Sequence, residues 1–329
     1  MSVRVGIIGT GIMGADHASI LHRYVSGGDV AAVADLDLER ARAVAELIGA
    51  RAGADPRGLI RDSEVDAVII ASHDSTHADF VRDCVSAGKP VLCEKPLSPT
   101  LEESAAVVRE VGTQADLVSL GFMRRFDPGY VALKAAITSG SIGSPVLLHS
   151  TGRGVTGGPG RTNENSVTNS AIHDLDIVPW LLDAPVVEVS WHAPRRSAVV
   201  VEYQDPQFIL LRTADGVLST VDIFLNAGYG YDVRCEVVGE SGTASLAEPT
   251  KIITDSGLSR GATYAADWRP RFAEAYRLEL QAWIDSLNGG SRGSLATTRD
   301  GLVASAVAEA VITSMHDGGA STRVELPGG

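Results

Sequence analysis

Apolar residues follow two rhythms along this chain. Through residue 122, short apolar runs at residues 3–8, 30–34, 65–71, 91–93 and 116–122 alternate with segments whose apolar positions recur every three or four residues, at 12–24, 38–48, 56–62 and 101–111. The runs are too short for helices and carry little alternation, as expected of strands buried on both faces. Strands interleaved with helices, a further one ending at Gly88, predict a doubly wound parallel sheet. Beyond residue 126 a helix to about residue 138 gives way to period-two segments at 146–151, 186–192, 198–203, 207–213, 217–225 and 232–239, with turns such as Ala214-Asp215-Gly216 between them. Consecutive strands joined by turns predict an open, mainly antiparallel sheet in a separate α+β domain. Amphipathic helices at 271–287 and 298–317 end the chain, the last read as packing back on the first domain. The fold class is therefore α/β, with a Rossmann domain at 1–122 and an α+β domain at 123–329.

Composition narrows the partners. The formal net charge of −13 opposes a nucleic acid or an acidic membrane surface, since both are bound through clustered Lys and Arg. Cys84, Cys93 and Cys235 are odd in number and lack C-x-x-C spacing, so neither a disulfide framework nor a metal site is expected, and a reducing, cytoplasmic setting is. Met1 leads directly into an apolar strand without the parts of a signal peptide, and no apolar run approaches the roughly 20 residues of a membrane span.

The candidate chemistry lies where strands end. Gly9-Thr10-Gly11-Ile12-Met13-Gly14 follows the first strand and opens the first helix. In that context the first glycine permits a tight turn, the second lets a pyrophosphate approach the backbone, and the third allows close helix packing. Asp35 ends the second strand, where a carboxylate accepts from ribose hydroxyls; Asp37 could cap the following helix equally well. Leu36 follows and no arginine adjoins it, which favours NAD over NADP. Ser72 to His77 forms a polar loop after the 65–71 run, on the side expected to face cofactor, with His73 and His77 read as loop or capping residues rather than catalysts. Lys95, in Cys93-Glu94-Lys95-Pro96, stands at the end of a buried strand, where open α/β sheets hold ligands. Gly154 to Gly160 forms a glycine-rich loop in the second half.

Taken together these residues resemble the Gfo/Idh/MocA family of NAD(P)-dependent oxidoreductases, and within it the inositol 2-dehydrogenase subgroup. The likeness spans nearly the whole chain. It rests on the glycine loop, Glu94-Lys95-Pro96, Gly121-Phe122-Met123-Arg124-Arg125-Phe126-Asp127, Ala171-Ile172-His173-Asp174-Leu175-Asp176, Tyr231-Asp232 and Asp267-Trp268-Arg269-Pro270-Arg271-Phe272. The resemblance implies that NAD is held by Gly9, Gly11, Ile12, Met13, Gly14, Asp35, Ser72, His77, Glu94 and Lys95. It implies a catalytic group of Lys95, His173, Asn169 and Asp176, and polyol or sugar contacts from Met123, Arg153, Ser170 and Tyr231, in a homotetramer.

Two positions depart from the family pattern: Asn169 stands where an aspartate is expected, and Gly154 where an asparagine is. Asn169, His173 and Asp176, at i, i+4 and i+7, would share one helix face. The expected reaction is oxidation of a secondary hydroxyl of a cyclic polyol, myo-inositol foremost. Oxidation of an aldose or glycoside hydroxyl, or an NAD-binding relative without turnover, are the alternatives that Asn169 and Gly154 leave open.

Overall fold

Six parallel strands build the first sheet of the computed structural model, which describes residues 2–247 and 252–327. In chain order these are β1 (Val3–Ile8), α1 (Ile12–Tyr24), β2 (Gly28–Ala34), α2 (Leu38–Ile48), β3 (Arg51–Gly53), α3 (Pro56–Arg61), β4 (Ala67–Ile70), α4 (His77–Ser86), β5 (Val91–Glu94), α5 (Leu101–Val111) and β6 (Val118–Gly121). The spatial order β3-β2-β1-β4-β5-β6 reverses direction beside β1, the switch point at which doubly wound sheets bind ligands. Strands β1, β4 and β5 are buried along most of their length because helices cover both faces, which explains their unbroken apolar runs. The short edge strand β3 was not anticipated; Arg51 and Ala52 are exposed, so it carries no apolar signal.

The chain divides into two compact units. The first runs to Phe126 and takes in Glu274–Ser305; the second holds Asp127–Ala273 and Ala306–Glu325. A contiguous division at residue 122 therefore misses the return of the later segment. Gln281 exchanges hydrogen bonds with the backbone of Ser26, and Ile284 packs where a side chain on Gly28 would stand, so a patch specific to β2 and its turn recruits a segment some 250 residues away.

In the second unit α6 (Pro128–Thr138) is capped by Asp127, followed by β7 (Pro145–Arg153), the short α7 (Asn163–Asn165), a π-helical stretch (Ser166–Ala171) and α8 (Ile172–Leu182). Then come β8 (Val186–His192), β9 (Gln207–Thr213), β10 (Leu218–Phe224), β11 (Asp232–Gly239), β12 (Thr243–Ser245) and the hairpin β13 (Thr254–Ser256) with β14 (Ser259–Gly261). Helix α9 (Trp268–Leu287) breaks helical geometry at Phe272, and α10 (Thr298–His316) and β15 (Thr322–Arg323) follow. The sheet order is β12-β11-β7-β10-β9-β8-β15; only β7 and β10 pair in parallel.

Residues 198–203, expected as a strand, form none. β8 pairs directly with β9, leaving no slot between them, and the segment loops outward, closed by Ser197 N–H donating to Asp205 O, with Val199 and Val201 exposed. On β7, Leu148 and Ser150 point inward while Leu147 and His149 face out. The Ser150 hydroxyl donates to Asp174 Oδ1 (2.6 Å), tying α8 to the inner face.

Cys84, Cys93 and Cys235 are free and buried. Burial pushes the Cys84 thiol up to about 12 and Cys93 well above the usual range, so neither is a reactive thiolate. Among the described residues no helix is long and apolar enough to cross a membrane, and no cluster of His, Cys, Asp and Glu could hold a metal ion.

Candidate active site

The turn from β1 to α1 is built to the tolerances the glycines predict. Gly9 adopts φ +90°, and a Cβ there would stand 2.6 Å from Ala71 O and Ser72 N. A Cβ on Gly14 would collide with the Gly9 carbonyl, whereas one on Gly11 would meet nothing within 4 Å. Gly11 is also the N-cap of α1, which has no side-chain cap and no acidic residue in its first turn. The open approach at Gly11, at the positive end of the α1 dipole, fits a pyrophosphate. Ile12 is exposed on the first turn and Met13 half-buried beside it.

Asp35 is buried at the end of β2. Its Oδ2 accepts from Thr10 N–H (2.7 Å) and the Thr10 hydroxyl (2.9 Å), and its Oδ1 from Asp37 N–H (2.9 Å) and Arg40 Nη2 (3.1 Å). Burial raises its pKa, but these bonds and the Arg40 charge outweigh it and hold the carboxyl below its usual value. Asp37, not Asp35, caps α2, by accepting from Arg40 N–H. An arginine does therefore adjoin Asp35. Arg40 comes from the first turn of α2, five residues along the chain, and its charge is spent on the carboxylate rather than offered to a 2′-phosphate.

Around the end of β4, Ser72 Oγ and Thr76 Oγ1 are hydrogen-bonded at 2.7 Å. His77 is buried, with Nδ1 2.7 Å from Pro96 O and Nε2 3.1 Å from Ser72 O, and so fastens this loop to the one that carries Lys95. His73, by contrast, is an exposed cap whose ring accepts from Ser75 N–H.

Lys95 is half-buried immediately beyond β5, and its peptide to Pro96 is cis. The preceding Glu94 turns inward: Oε1 lies 2.8 Å from Nε2 of His17, and Oε2 accepts from Lys95 N–H at 3.3 Å. Burial raises the Glu94 pKa, but the His17 hydrogen bond and the charges of His17, Lys95 and His77 more than offset it, leaving the carboxyl below its ordinary value. His17 was missed from sequence. It belongs to the buried seam Gly14, His17, Ala18, Leu21 of α1, and a histidine on an otherwise apolar seam was the available signal. Met123 is buried in a 3₁₀ turn after β6.

In the second unit Asn169 and Ser170 lie half-buried in the π-helical stretch, His173 half-buried in the first turn of α8, and Asp176 buried one turn on. The i, i+4, i+7 face assumed a continuous α-helix. His173 and Asp176 lie one turn apart on α8, and Asn169 lies in the π turn that leads into it; such insertions recur at functional sites.

Arg153 is committed to Asp222: Nη1 pairs with its carboxylate and donates to its backbone O at 3.2 Å. Tyr231 packs edge-on against Phe272 and lines a cavity of about 520 Å³ with His149, Thr151, Asp232, Arg234 and Arg271. Asn169, Ser170, His173 and Asp176 do not line that cavity, so its size does not mark it as the reactive site. Asp174, which holds α8 to β7, was also not singled out from sequence.

A glycine turn opening an uncapped helix, an ionised aspartate at the next strand end and a lysine beyond a buried strand define a dinucleotide-dependent oxidoreductase of the Rossmann class. Residues 3–122 match the NAD-binding Rossmann fold of the Gfo/Idh/MocA oxidoreductase family and residues 134–326 its C-terminal alpha/beta domain; the chain belongs to this family. It is 54% identical over 330 residues to inositol 2-dehydrogenase 2 of Paenarthrobacter aurescens, covering 98% of this chain and 99% of the relative. It is 48% identical to inositol 2-dehydrogenase 1 of Saccharopolyspora erythraea, over 97% and 95% of the two chains. Among solved structures, myo-inositol dehydrogenase of Lactobacillus casei in complex with NAD(H) and myo-inositol superposes with a TM-score of 0.94 at 32% identity, over 100% of this chain and 98% of the other.

Proposed function

We propose that this protein oxidises a secondary hydroxyl of a cyclic polyol, myo-inositol foremost, to the ketone with NAD as acceptor. The observation that carries the reading is the near full-length identity to inositol 2-dehydrogenase from Paenarthrobacter aurescens, together with a glycine turn, Asp35 and Lys95 suited to the same cofactor. When bound, NAD⁺ supplies the hydride acceptor. The chain supplies the rest: α1 binds the pyrophosphate, Asp35 the ribose, and Lys95 hydrogen-bonds the substrate oxygen as negative charge develops. His173 removes the hydroxyl proton, a role for which an imidazole is suited near neutral pH. Asn169 orients the imidazole without adding charge, and Asp176 on the next turn supplies a carboxylate. In this reading residues 1–122 bind NAD, while residues 123–329 recognise substrate and carry the assembly surface.

The proposal extends to a cytoplasmic homotetramer. Three buried free thiols suit a reducing compartment, and the outer face of the second sheet, with Leu147 exposed and Leu218, Leu210 and Phe208 half-buried, suits contact with further copies. A second substrate reading, an aldose or glycoside hydroxyl, is favoured by Gly154: a Cβ there would stand 2.6 Å from Leu225 O, so the backbone has no room for an asparagine. Absorbance at 340 nm with NAD⁺ and a panel of inositols, aldoses and glycosides tests both. The polyol reading requires the highest kcat/KM on an inositol; a higher value on glucose replaces it with the second, and no signal on any compound removes both.

A further inference from the structure

The glycine-rich loop after β7 is an ordered platform. Gly157 N–H donates to Asn226 Oδ1 (3.0 Å), Asn226 Nδ2 donates to Tyr203 Oη (2.6 Å) and Asp205 Oδ2 (2.7 Å), and Asp205 also accepts from the backbone N–H of Leu225 and Asn226 (2.9 Å each). Any side chain at Gly157 would strike the Tyr203 hydroxyl. From this platform Arg161 folds back, with Nε donating to Gly157 O (2.5 Å) and Nη1 to Ser170 Oγ (3.1 Å). Ser170 lies in the π-helical stretch three residues before His173, so the guanidinium is presented at the turn that leads to the candidate base.

Two features make this an unusual place for an arginine. It is half-buried, and among the described residues no carboxylate stands within ion-pair distance of it, while the nearby Asp205 is occupied by its own amide donors. Burial lowers its pKa, only partly offset by the charges of Tyr203 and Asp205. The Nη2 amino group and one hydrogen of Nη1 have no acceptor among the described residues. A cation held by a carbonyl and a hydroxyl, with part of its rigid fork undirected within the protein, is arranged for an external pair of oxygen acceptors.

We infer that Arg161 is a specificity-determining residue that donates through its guanidinium fork to neighbouring hydroxyls of the substrate ring. The inference rests on the polyol reading above. Gly154 on the same loop contributes no side chain, so recognition shifts from an amide at that position to the guanidinium seven residues on.

The test compares wild type, Arg161→Lys and Arg161→Ala on myo-inositol and its monodeoxy analogues at saturating NAD⁺. Losing charge-assisted hydrogen bonds predicts that Arg161→Ala lowers kcat/KM on myo-inositol by about 10- to 100-fold, mainly through KM. Arg161→Lys restores only part, because a point charge replaces a planar fork. Deoxy analogues lacking the contacted hydroxyls cost wild type a comparable factor and cost Arg161→Ala little. Equal analogue penalties in wild type and variant, or an unchanged kcat/KM, overturn the inference. Should Arg161→Ala fail to melt cooperatively, Arg161→Lys is judged by the same analogue pattern. A wild type that binds NAD⁺ but does not oxidise myo-inositol overturns the polyol reading first, and the ring-hydroxyl assignment with it.

Discussion

Arg40 and Asp35 meet at 3.1 Å in a pair that residue-by-residue reading did not anticipate, because helix α2 folds back over the strand end only in three dimensions. The pair bears on cofactor choice. Asp35→Ser removes the ribose acceptor and releases Arg40 toward a 2′-phosphate, so the ratio of kcat/KM for NAD⁺ to that for NADP⁺ falls by roughly tenfold or more, the scale of one charge-assisted hydrogen bond. An unchanged ratio removes Asp35 from its role. Asn169→Asp is the complementary experiment near the base. A carboxylate beside His173 stabilises the imidazolium, so kcat rises and the acidic limb of the kcat/KM profile moves to higher pH. The rise stays below the ~10⁴ lost in a serine protease when the orienting aspartate became asparagine. A profile and rate identical to wild type would disconnect Asn169 from His173. Lys95, His173 and the glycines stand out as candidates because their chemistry is written at strand and helix ends; His17 does not, because its partner Glu94 lies far along the chain, and Arg40, though near Asp35 in sequence, meets it only once α2 has turned back over the strand end.

Strand β5 shows the same logic one level up. Its last residue, Glu94, is ionised inside the protein, bonded to His17 of α1 and to the amide of Lys95, while His77 of α4 holds Pro96 from the other side. A carboxyl whose folded pKa lies below its ordinary 4.5 stabilises the fold fully above that value, and the contribution is lost as pH falls through the folded pKa. Thermal melts should therefore show Tm falling below about pH 4.5, and Glu94→Gln should flatten that acid limb while lowering Tm at pH 7; an acid limb as steep as in wild type places the lost stability elsewhere. At this scale the period of the apolar pattern located α5, β8, β9 and β11 to their terminal residues. It failed where tertiary context decides. Residues 198–203 have strand composition and no sheet partner, and residues 166–171 have helical composition and form a π turn.

At the scale of the molecule, the outer face of the second sheet is where assembly is expected. Leu147 is exposed on the interior strand β7, opposite Val238 on β11 and Leu218 on β10. Burying an introduced carboxylate in an interface is costly, so if the proposed tetramer forms through this face, Leu147→Glu should yield smaller species than wild type in light scattering while leaving the circular dichroism intact. An unchanged mass excludes this face from the interface.

The amino-acid sequence by itself determined the fold class, most of the elements, the cofactor turn and the two residues proposed to act on the hydroxyl. Local patterning sets secondary structure, and glycine and charge at strand ends are constrained by chemistry that does not depend on distant partners. Only the tertiary structure decided that Glu274–Ser305 joins the first unit, that His17 holds Glu94, that Arg153 is occupied by Asp222, and that Arg161 reaches Ser170. Each of these is a contact whose energy depends on which surfaces packing brings within a few ångströms, and spacing along the chain carries no record of that.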